Sequence, residues 1–381
     1  MNGIGPLNGG LPPRGGGKRV VAAMSGGVDS SVAAALLVER GFEVIGVTMR
    51  LLPKLETAFG CCGSPNDVDD AARVCAALAV PHYVLDLARL FDRDVIQPFV
   101  EDYRAGRTPN PCVDCNQRVK FGYLLRIARA WDAQAVATGH YARVTDGRLC
   151  EAADRAKDQT YFLYRLTARE LRRVLFPVGE LTKAEVRSRA RALGLPTADK
   201  PESQEICFVP GRDYRSFVAA RSTKGTVPFL DRAGVEQGDV VDTGGRKVGR
   251  HPGLVGYTVG QRRGLGSVVR SGGPRAEPLY VVRLEARTNT LVVGSAEETR
   301  SGGLVTGPAS WTAQAPLGPF EARVRVRHRH APAKAALEVL DDGRVRVRFE
   351  EAQRAVAPGQ AAVFYSGGEV LGGGTIQEAL V

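Results

Sequence analysis

Residues 18–41 read KRVVAAMSGGVDSSVAAALLVERG. The apolar run 18–24 predicts a buried strand, and residues 30–40 predict a helix that ends at Gly41. Between them, SGGVDSS places Gly26 and Gly27 where the backbone turns sharply and can approach an anion closely. The amino terminus of the following helix offers N–H groups and a positive dipole end to phosphate. Strand, glycine loop and helix in this order predict a nucleotide-binding loop in an α/β domain.

The polar side chains of this loop suit a phosphate ligand. Ser25, Ser30 and Ser31 supply hydroxyl donors. Asp29 would repel phosphate unless it binds a cation or orients the loop, so we expect Mg²⁺ here. The loop lacks the GK[ST] ending of a Walker loop and does not match GxGxxG. The alternative is a Gly-Gly turn capped by serine, but the strand–loop–helix context favours a nucleotide site.

Strands and helices alternate through the first half of the chain. Further strands are predicted at 42–49, 82–87 and 134–138, and further helices at 67–79, 91–104 and 117–131. This alternation is typical of a mainly parallel sheet with helices on both faces. From about Gly211 helical periodicity ends and short alternating strands follow, which indicates small β-rich domains. We predict a disordered tail (1–17), an α/β domain (18–211), a central domain (212–278) and a C-terminal β domain (279–381).

The composition bounds the class of protein. The 381 residues include 52 Lys and Arg against 41 Asp and Glu, and the net charge of +11 favours a polyanionic partner, above all a nucleic acid. The alternative is charge that serves solubility alone. The first residues, MNGIGPLNGGLPPRGGGKR, lack the apolar segment of a secretory signal, and no apolar run is long enough to span a membrane. We therefore expect a cytoplasmic protein with no membrane contact.

Seven cysteines, an odd number, indicate reduced thiols rather than a disulfide framework. Residues 108–116 read TPNPCVDCN, which spaces Cys112 and Cys115 as CxxC, and Cys207 lies far along the chain in SQEICFV. The spacing alone fits a redox pair, half a zinc site, an iron–sulfur cluster shared with Cys207, or unrelated thiols. No second CxxC or histidine pair appears at a spacing that suits tetrahedral zinc. Structural roles are predicted for Cys61, Cys62, Cys75 and Cys150.

Two segments near the carboxyl terminus alternate arginine with apolar residues. Residues 322–330 read ARVRVRHRH, and Arg344, Arg346 and Arg348 repeat the pattern. If these strands pair, their arginine rows lie side by side and require an anion. The alternative is a solvated face screened by acidic side chains such as Glu350.

Six motifs together carry a family resemblance. In order along the chain they are SGGVDSS, TPNPCxxCN, GHYA (139–142), KDQTYFL (157–163), SQEICFV (203–209) and HPGLVGYTVGQRRGLG (251–266). From about residue 18 to its carboxyl terminus the chain resembles the tRNA-specific 2-thiouridylases. The resemblance implies a PP-loop ATP-pyrophosphatase domain with a parallel sheet, then a small central domain and a C-terminal β-barrel-like domain.

The resemblance also implies a reaction. ATP adenylates O2 of the wobble uridine in tRNAs for Lys, Glu and Gln, and sulfur then replaces that oxygen. Cys207 carries the sulfur as a persulfide that a sulfur-relay protein or a cysteine desulfurase delivers. Cys115 is the partner nucleophile and can close a disulfide with Cys207. A thiolate suits this role because it is a strong nucleophile near neutral pH.

The resemblance assigns two further sets of residues. ATP is expected at Ala23, Met24, Ser25, Gly26, Gly27, Val28, Asp29, Ser30, Met49 and Gly139. Contacts with tRNA are expected at Asn110, Pro111, Cys112, His140, Lys157, Asp158, Gln159, Arg327, His328 and Gln360. Arg327 and His328 would point to opposite faces of a regular strand, so we expect a strand end or a bulge there.

One position departs from the family pattern. Many members carry Asp where this chain has Cys112. Either the acid is dispensable, or Asp114 or His140 replaces it, or Cys112, Cys115 and Cys207 hold an iron–sulfur cluster. Two rival functions use the same loop: a PP-loop synthetase that adenylates a small molecule, and a non-catalytic RNA-binding protein with a nucleotide switch.

Overall fold

The computed structural model of the chain describes residues 18–52, 64–201, 206–209, 213–222, 237–265 and 278–380. The predicted tail and the pair Cys61 and Cys62 lie outside these described residues. The chain divides into two compact units. One comprises residues 1–95, 112–210 and 368–370, and the other comprises residues 96–111, 211–367 and 371–381.

Secondary structure up to residue 192 alternates as predicted. Its elements are β1 (Arg19–Ala23), α1 (Val28–Glu39), β2 (Glu43–Arg50), α2 (Pro65–Ala77), β3 (His82–Asp86), α3 (Ala88–Phe91), α4 (Gln97–Arg104), α5 (Pro111–Asp114), α6 (Gly122–Ala130), β4 (Ala135–Ala137), β5 (Arg143–Thr145), β6 (Arg148–Cys150), α7 (Ala168–Leu171), β7 (Val174–Leu175) and α8 (Lys183–Ala192). Turns of π-helix at Asp92–Ile96 and Cys115–Phe121 continue into α4 and α6, and Thr160–Phe162 forms a 3₁₀ turn.

Five strands of the first unit form a parallel sheet in the order β3-β2-β1-β4-β7. Strands β5 and β6 of the same unit pair antiparallel with each other outside this sheet. Helix α1 is apolar on nearly every side because it packs between this sheet and α8. The four predicted strands and the predicted helices are confirmed with small shifts of their ends. The two-residue strand β7 was not predicted, since a segment this short shows no periodicity.

The second unit contains α4, then α9 (Tyr214–Ser222) and a small sheet of β8 (Gly238–Asp242), β9 (Lys247–His251), β10 (Tyr280–Glu285) and β11 (Thr290–Gly294). The strand order is β10-β11-β8-β9, in which β11 and β8 run parallel and the other pairs antiparallel. Strands β10 and β11 follow Pro278, so this sheet extends past the domain boundary predicted there.

The remaining described strands form a barrel. Its strands are β12 (Arg300–Pro308), β13 (Ser310–Trp311), β14 (Phe320–Arg325), β15 (Ala333–Val339), β16 (Arg344–Arg354), β17 (Ala361–Ser366) and β18 (Glu369–Leu380). The described strands follow the order β12-β16-β15-β14-β17-β18, and β12 pairs with β18, which closes a six-stranded barrel. This confirms the predicted fold class, a parallel-sheet PP-loop domain followed by a small central domain and a C-terminal barrel.

The two arginine rows alternate with buried residues as predicted, with Val345 and Val347 inside the barrel. The rows do not lie side by side, because β15 lies between β14 and β16. Strand β14 ends at Arg325, so Arg327 and His328 lie in the following turn, which confirms the expected strand end. Within the described residues, no helix has the length and apolar content needed to cross a membrane.

Candidate active site

A cavity of about 290 Å³ opens at the carboxyl ends of β1, β2 and β4. Strand β1 lies between β2 and β4, so the order of the sheet reverses beside the loop that follows β1. Open parallel sheets bind ligands at such a reversal. Every residue predicted to bind the nucleotide, except Gly26, lines this cavity. His140, Lys157 and Gln159, predicted to contact tRNA, line it as well.

Two glycines set the shape of the cavity wall. Gly26 has φ of +70°, and a Cβ there would lie 2.4 Å from the carbonyl oxygen of Asp67. Gly26 therefore allows the loop to pack closely against Asp67 of α2, although Gly26 does not line the cavity. A Cβ at Gly139 would lie 2.5 Å from the backbone nitrogen of Ser30. A larger residue at Gly26 would push the loop away from α2, and one at Gly139 would push against the first turn of α1.

The amino terminus of α1 faces the cavity without a side-chain cap. Gly27 is the capping residue and makes no side-chain hydrogen bond. Ser30 Oγ donates to the Gly27 carbonyl at 3.0 Å and accepts from the Ser25 backbone N–H at 3.2 Å. The serines therefore fix the loop, and the helix N–H groups are oriented toward the cavity, which suits a phosphate.

Asp29 has a cationic partner, as the sequence required. Lys183 Nζ, at the start of α8, lies 2.7 and 2.8 Å from the two carboxylate oxygens of Asp29. The Tyr141 hydroxyl donates to the same carboxylate at 2.8 Å. Lys183 therefore supplies a positive charge to Asp29, and the Mg²⁺ expected at this carboxylate stays a prediction. Sequence reasoning missed Lys183, although the capping box formed by Thr182 and Glu185 marks the start of its helix.

Among the described residues, four lysines line the cavity: Lys120, Lys157, Lys183 and Lys200. Lys200 Nζ lies 2.8 Å from Asp67 Oδ1 and 2.5 Å from Asp70 Oδ2. This excess of positive charge suits a triphosphate. Asp29 and Asp67 are carboxylates that line the cavity, and they are the residues that could hold a Mg²⁺ ion.

His140 is a neutral imidazole in this cavity. Burial, and secondly the nearby charge of Lys120, hold its pKa well below the usual value. Its Nδ1 lies 2.8 Å from Thr138 Oγ1, and its ring lies 5.9 Å from the Phe121 ring. The side chain is therefore fixed at the end of β4, where it adds no positive charge near neutral pH.

The three residues of the KDQ motif (157–159) differ in where their side chains lie. Lys157 and Gln159 line the cavity, whereas Asp158 is 3% exposed. Asp158 accepts hydrogen bonds from the Ala152 backbone N–H at 3.1 Å and the Thr160 hydroxyl at 2.7 Å. Its carboxylate therefore holds the turn that presents its two neighbours, and its contact with tRNA stays a prediction.

The CxxC motif places its two thiols differently. Cys112 is exposed on α5, and Cys115 is buried at the start of the π-helical turn. Asp114, between them, accepts a hydrogen bond from Arg165 Nη1 at 2.7 Å. Cys207 is half-buried, and its neighbour Phe208 packs against the Phe91 ring, with the centroids 5.6 Å apart.

These thiols do not form a ready metal centre. Within the described residues, which include Cys112, Cys115 and Cys207, no group of three or more His, Cys, Asp or Glu side chains is arranged to hold a metal ion. The donor set for an iron–sulfur cluster is therefore not assembled. Cys75 is 1% exposed, which confirms its predicted place in the core, and burial raises the pKa of its thiol to about 11.

The predicted tRNA contacts of the second unit are anchored to backbone. Arg327 Nη2 donates to the Val259 carbonyl at 2.5 Å. Gln360 Nε2 donates to the carbonyls of Thr108 and Pro109 at 3.0 and 3.2 Å. Asn110 is half-buried, Pro111 is buried, and His328 lies in the turn after β14.

The basic face of the barrel is partly neutralised. Arg346 pairs with Glu338 on β15 at 2.7 Å. Arg344 pairs with Asp342 at 2.7 Å, whereas Arg323 and Arg348 are exposed. Acidic side chains therefore screen Arg344 and Arg346, and anion binding by the exposed arginines stays a prediction.

Three family models match the chain. A tRNA methyl transferase HUP domain matches residues 18–211, a tRNA methyl transferase PRC-barrel domain matches residues 229–295, and an aminomethyltransferase beta-barrel domain matches residues 301–376.

Two curated relatives are similar over nearly their full length. The tRNA-specific 2-thiouridylase MnmA of Carboxydothermus hydrogenoformans is 48% identical over 96% of this chain and 99% of its own. The protein of the same name from Geobacter metallireducens is 47% identical over 95% of this chain and 98% of its own. Among solved structures, a 4-thiouridine synthetase–RNA complex with bound ATP covers 51% of this chain and 45% of its own, with a TM-score of 0.34 and 19% identity.

Proposed function

The chain belongs to the tRNA-specific 2-thiouridylase family, and from this premise we propose that it is an ATP-dependent tRNA-uridine 2-sulfurtransferase of the cytoplasm. The observation that carries the proposal is the cavity at the sheet reversal. It combines the glycine loop, the open amino terminus of α1 and four lysines, as an enzyme that releases pyrophosphate requires.

The first step is adenylation of the substrate. We propose that ATP lies with its phosphates on the loop 25–30 and its adenine toward Met49 and Gly139. Uridine O2 attacks the α-phosphorus, and the bond to the β-phosphate oxygen breaks to release pyrophosphate. Lys183 and Lys200 offset the negative charge that gathers on the leaving group. Mg²⁺, when bound, neutralises phosphate charge beside Asp29 and Asp67.

The second step transfers sulfur. The terminal sulfur of a persulfide on Cys207 attacks C2 of the uridine, and AMP leaves with the former O2. The Cys115 thiolate then attacks the inner sulfur of Cys207. The bond between the two persulfide sulfurs breaks, its electron pair stays on the uridine sulfur, and a Cys115–Cys207 disulfide forms. An external thiol reductant restores both cysteines. A sulfur-relay protein or a cysteine desulfurase supplies the persulfide.

The substrate is proposed to be the wobble uridine of tRNAs for Lys, Glu and Gln, which must leave the anticodon stack to reach the thiols. The net charge of +11 and the exposed Arg323 and Arg348 suit the tRNA backbone. Contacts at Asn110, Pro111 and Cys112 are proposed for the base.

The Cys112 thiol stands where many relatives have Asp. Asp114 is an unsuitable replacement because its carboxylate is held by Arg165. His140 is held by Thr138 in the cavity wall. We therefore propose that sulfur transfer proceeds without an acid at this position, through Cys115 and Cys207 alone.

The test is single-turnover thiolation of tRNA with a persulfide donor, read by mass spectrometry of nucleosides. Cys207→Ser and Cys115→Ser should form no 2-thiouridine above background while they retain tRNA affinity, because a hydroxyl cannot carry or cleave a persulfide. Cys112→Ser is the matched control and should keep substantial activity.

Each alternative function or mechanism predicts a different outcome of this experiment. Normal thiolation by Cys207→Ser would refute the assigned roles. Equal loss in all three variants, with iron in protein purified without air, would favour a cluster. Pyrophosphate release that does not depend on tRNA would favour a small-molecule synthetase, and binding of tRNA without any thiolation would favour an RNA-binding protein.

A further inference from the structure

The segment that precedes the CxxC motif is fixed to the turn between β16 and β17. The Thr108 backbone N–H donates to the Pro358 carbonyl at 2.8 Å. In the other direction, Gln360 Nε2 donates to the carbonyls of Thr108 and Pro109 at 3.0 and 3.2 Å. Thr108 is 8% exposed, so these bonds form where water does not compete freely.

A glycine allows this close approach. Gly359 has φ of +92°, and a Cβ there would lie 2.8 to 2.9 Å from the backbone oxygen, carbon and nitrogen of Thr108. The turn is itself anchored to β18, because Gly359 N–H donates to the Ile376 carbonyl at 2.8 Å and Ile376 N–H donates to the Gln360 carbonyl at 2.7 Å. The turn therefore presents a rigid surface to Thr108.

The chain beyond this contact is stiff. Pro109 and Pro111 each fix φ, and neither has a backbone N–H. Pro111 begins α5, which continues through Cys112 to the π-helical turn that starts at Cys115. The two proline rings and the helix therefore leave few freely rotating backbone bonds between Thr108 and Cys112.

We propose that Gln360, with Gly359, is a positioning residue that sets the segment of the reactive cysteines through the backbone of Thr108 and Pro109. Gln360 acts as a clamp because its amide nitrogen serves two consecutive carbonyls. This role differs from the tRNA contact that the family resemblance implies for Gln360. Its effect on sulfur transfer rests on the proposed function, but the clamp itself does not.

The first experiment measures hydrogen exchange of the full-length protein without tRNA. A peptide that covers residues 107–111 reports the amides of Thr108 and Asn110, since the two prolines have none. Gln360→Ala should speed exchange at Thr108 by roughly three- to tenfold, the worth of one hydrogen bond. Gln360→Glu should have a larger effect, because its carboxylate would face two carbonyl oxygens.

Gly359→Ala should produce the same opening without a change in any polar side chain. Its matched control is Gly318→Ala, since Gly318 also has a positive φ of +78° but has nothing within 4 Å of a Cβ. The control carries the same backbone strain without the clash, so it should leave exchange at Thr108 unchanged. Unchanged exchange in both Gln360→Ala and Gly359→Ala would overturn the clamp.

The second experiment separates positioning from RNA contact. Gln360→Ala should lower the single-turnover rate of thiolation by roughly three- to tenfold while the dissociation constant for tRNA stays within twofold. Weakened tRNA binding with an unchanged rate would show that Gln360 is an RNA contact instead. If the wild-type protein forms no thiouridine, the proposed function fails, and the exchange experiment still decides the clamp.

Discussion

The nucleotide cavity and the C-terminal barrel are both rich in charge, but they use it differently. In the cavity, Lys183 and Lys200 meet Asp29 and Asp67 on walls that converge on a space for a ligand. On the barrel, charges lie on the outside of a sheet, where Arg346 pairs with Glu338 across neighbouring strands. Charge alone therefore does not identify a site. The cavity is identified by glycines that allow a close approach of backbone.

The largest difference between the two regions should come from glycine-to-alanine substitutions. Gly139→Ala should abolish ATP binding, because the new Cβ would lie 2.5 Å from Ser30 N and displace the amino terminus of α1. Gly302→Ala in β12 is the matched control, since nothing lies within 4 Å of a Cβ there. Calorimetric titration with ATP measures both, beside a thermal melt that shows each variant is folded. Normal ATP affinity in folded Gly139→Ala would disprove the assignment of this wall.

Replacing one lysine in each region should give the next largest difference, measured as pyrophosphate release. Lys183→Met removes two hydrogen bonds to Asp29 and leaves the Asp29 carboxylate without this positive charge beside the proposed phosphate site. We expect pyrophosphate release in the presence of tRNA to fall by at least about tenfold, which corresponds to about 1.4 kcal/mol in the transition state. Lys334→Met on the barrel removes an exposed lysine 3.7 Å from Glu350 and should leave pyrophosphate release unchanged. Equal rates in the two variants would mean that Lys183 only supports the fold.

The cavity could be predicted from sequence because its loop is continuous. A strand, a glycine pair and a helix lie together in residues 18–41, and their local geometry determines the anion site. Lys183 was not predicted, because it pairs with Asp29 across 154 positions and no local pattern reports such a pair. The contact between Gln360 and Thr108, which are 252 positions apart, was not predicted for the same reason.

In the second unit, local composition and residue pattern do not predict which strands share a sheet. The glycine-rich sequence before Pro278 favours a domain boundary there, whereas β10 and β11 follow Pro278 and belong to the same sheet as β8. Alternating arginines correctly predicted which side chains face out of β16. They could not show that β15 separates the two rows, because strand order depends on long-range pairing.

Acid should weaken the first unit more than the turn after β14. In an unfolded chain histidine has a pKa near 6.5, about the usual value. Burial lowers the pKa of His140 far below that value and lowers the pKa of His330 by less. Between the folded and unfolded pKa values the unfolded chain binds more protons, so stability is full above pH 6.5 and falls as the pH drops.

Thermal melts at pH 7.5 and 5.5 measure this effect. His140→Gln should remove a larger part of the loss of stability than His330→Gln, since its pKa is shifted further. His251 in the central sheet should contribute as well, because its Nδ1 accepts from Gly253 N–H and its pKa is lowered by burial. Stability that does not change between these pH values would contradict the neutral state assigned to His140.

The smallest effects should separate two arginines of the barrel region. Arg327 donates to the Val259 carbonyl at 2.5 Å, so Arg327→Gln should cost about 1–2 kcal/mol of unfolding free energy. Arg346 and Glu338 have side chains 38% and 48% exposed, and Arg346→Gln should cost less than about 1 kcal/mol of unfolding free energy, since solvent screens such pairs.

Salt titration of tRNA binding gives an independent measure of the same two arginines. Arg327→Gln should lower the slope of log affinity against log salt by about one, as expected for a phosphate contact. Arg346→Gln should change that slope less, because Glu338 already offsets its charge. If Arg327→Gln lowers stability without any change in slope, Arg327 holds the turn at Val259 and does not touch the RNA backbone.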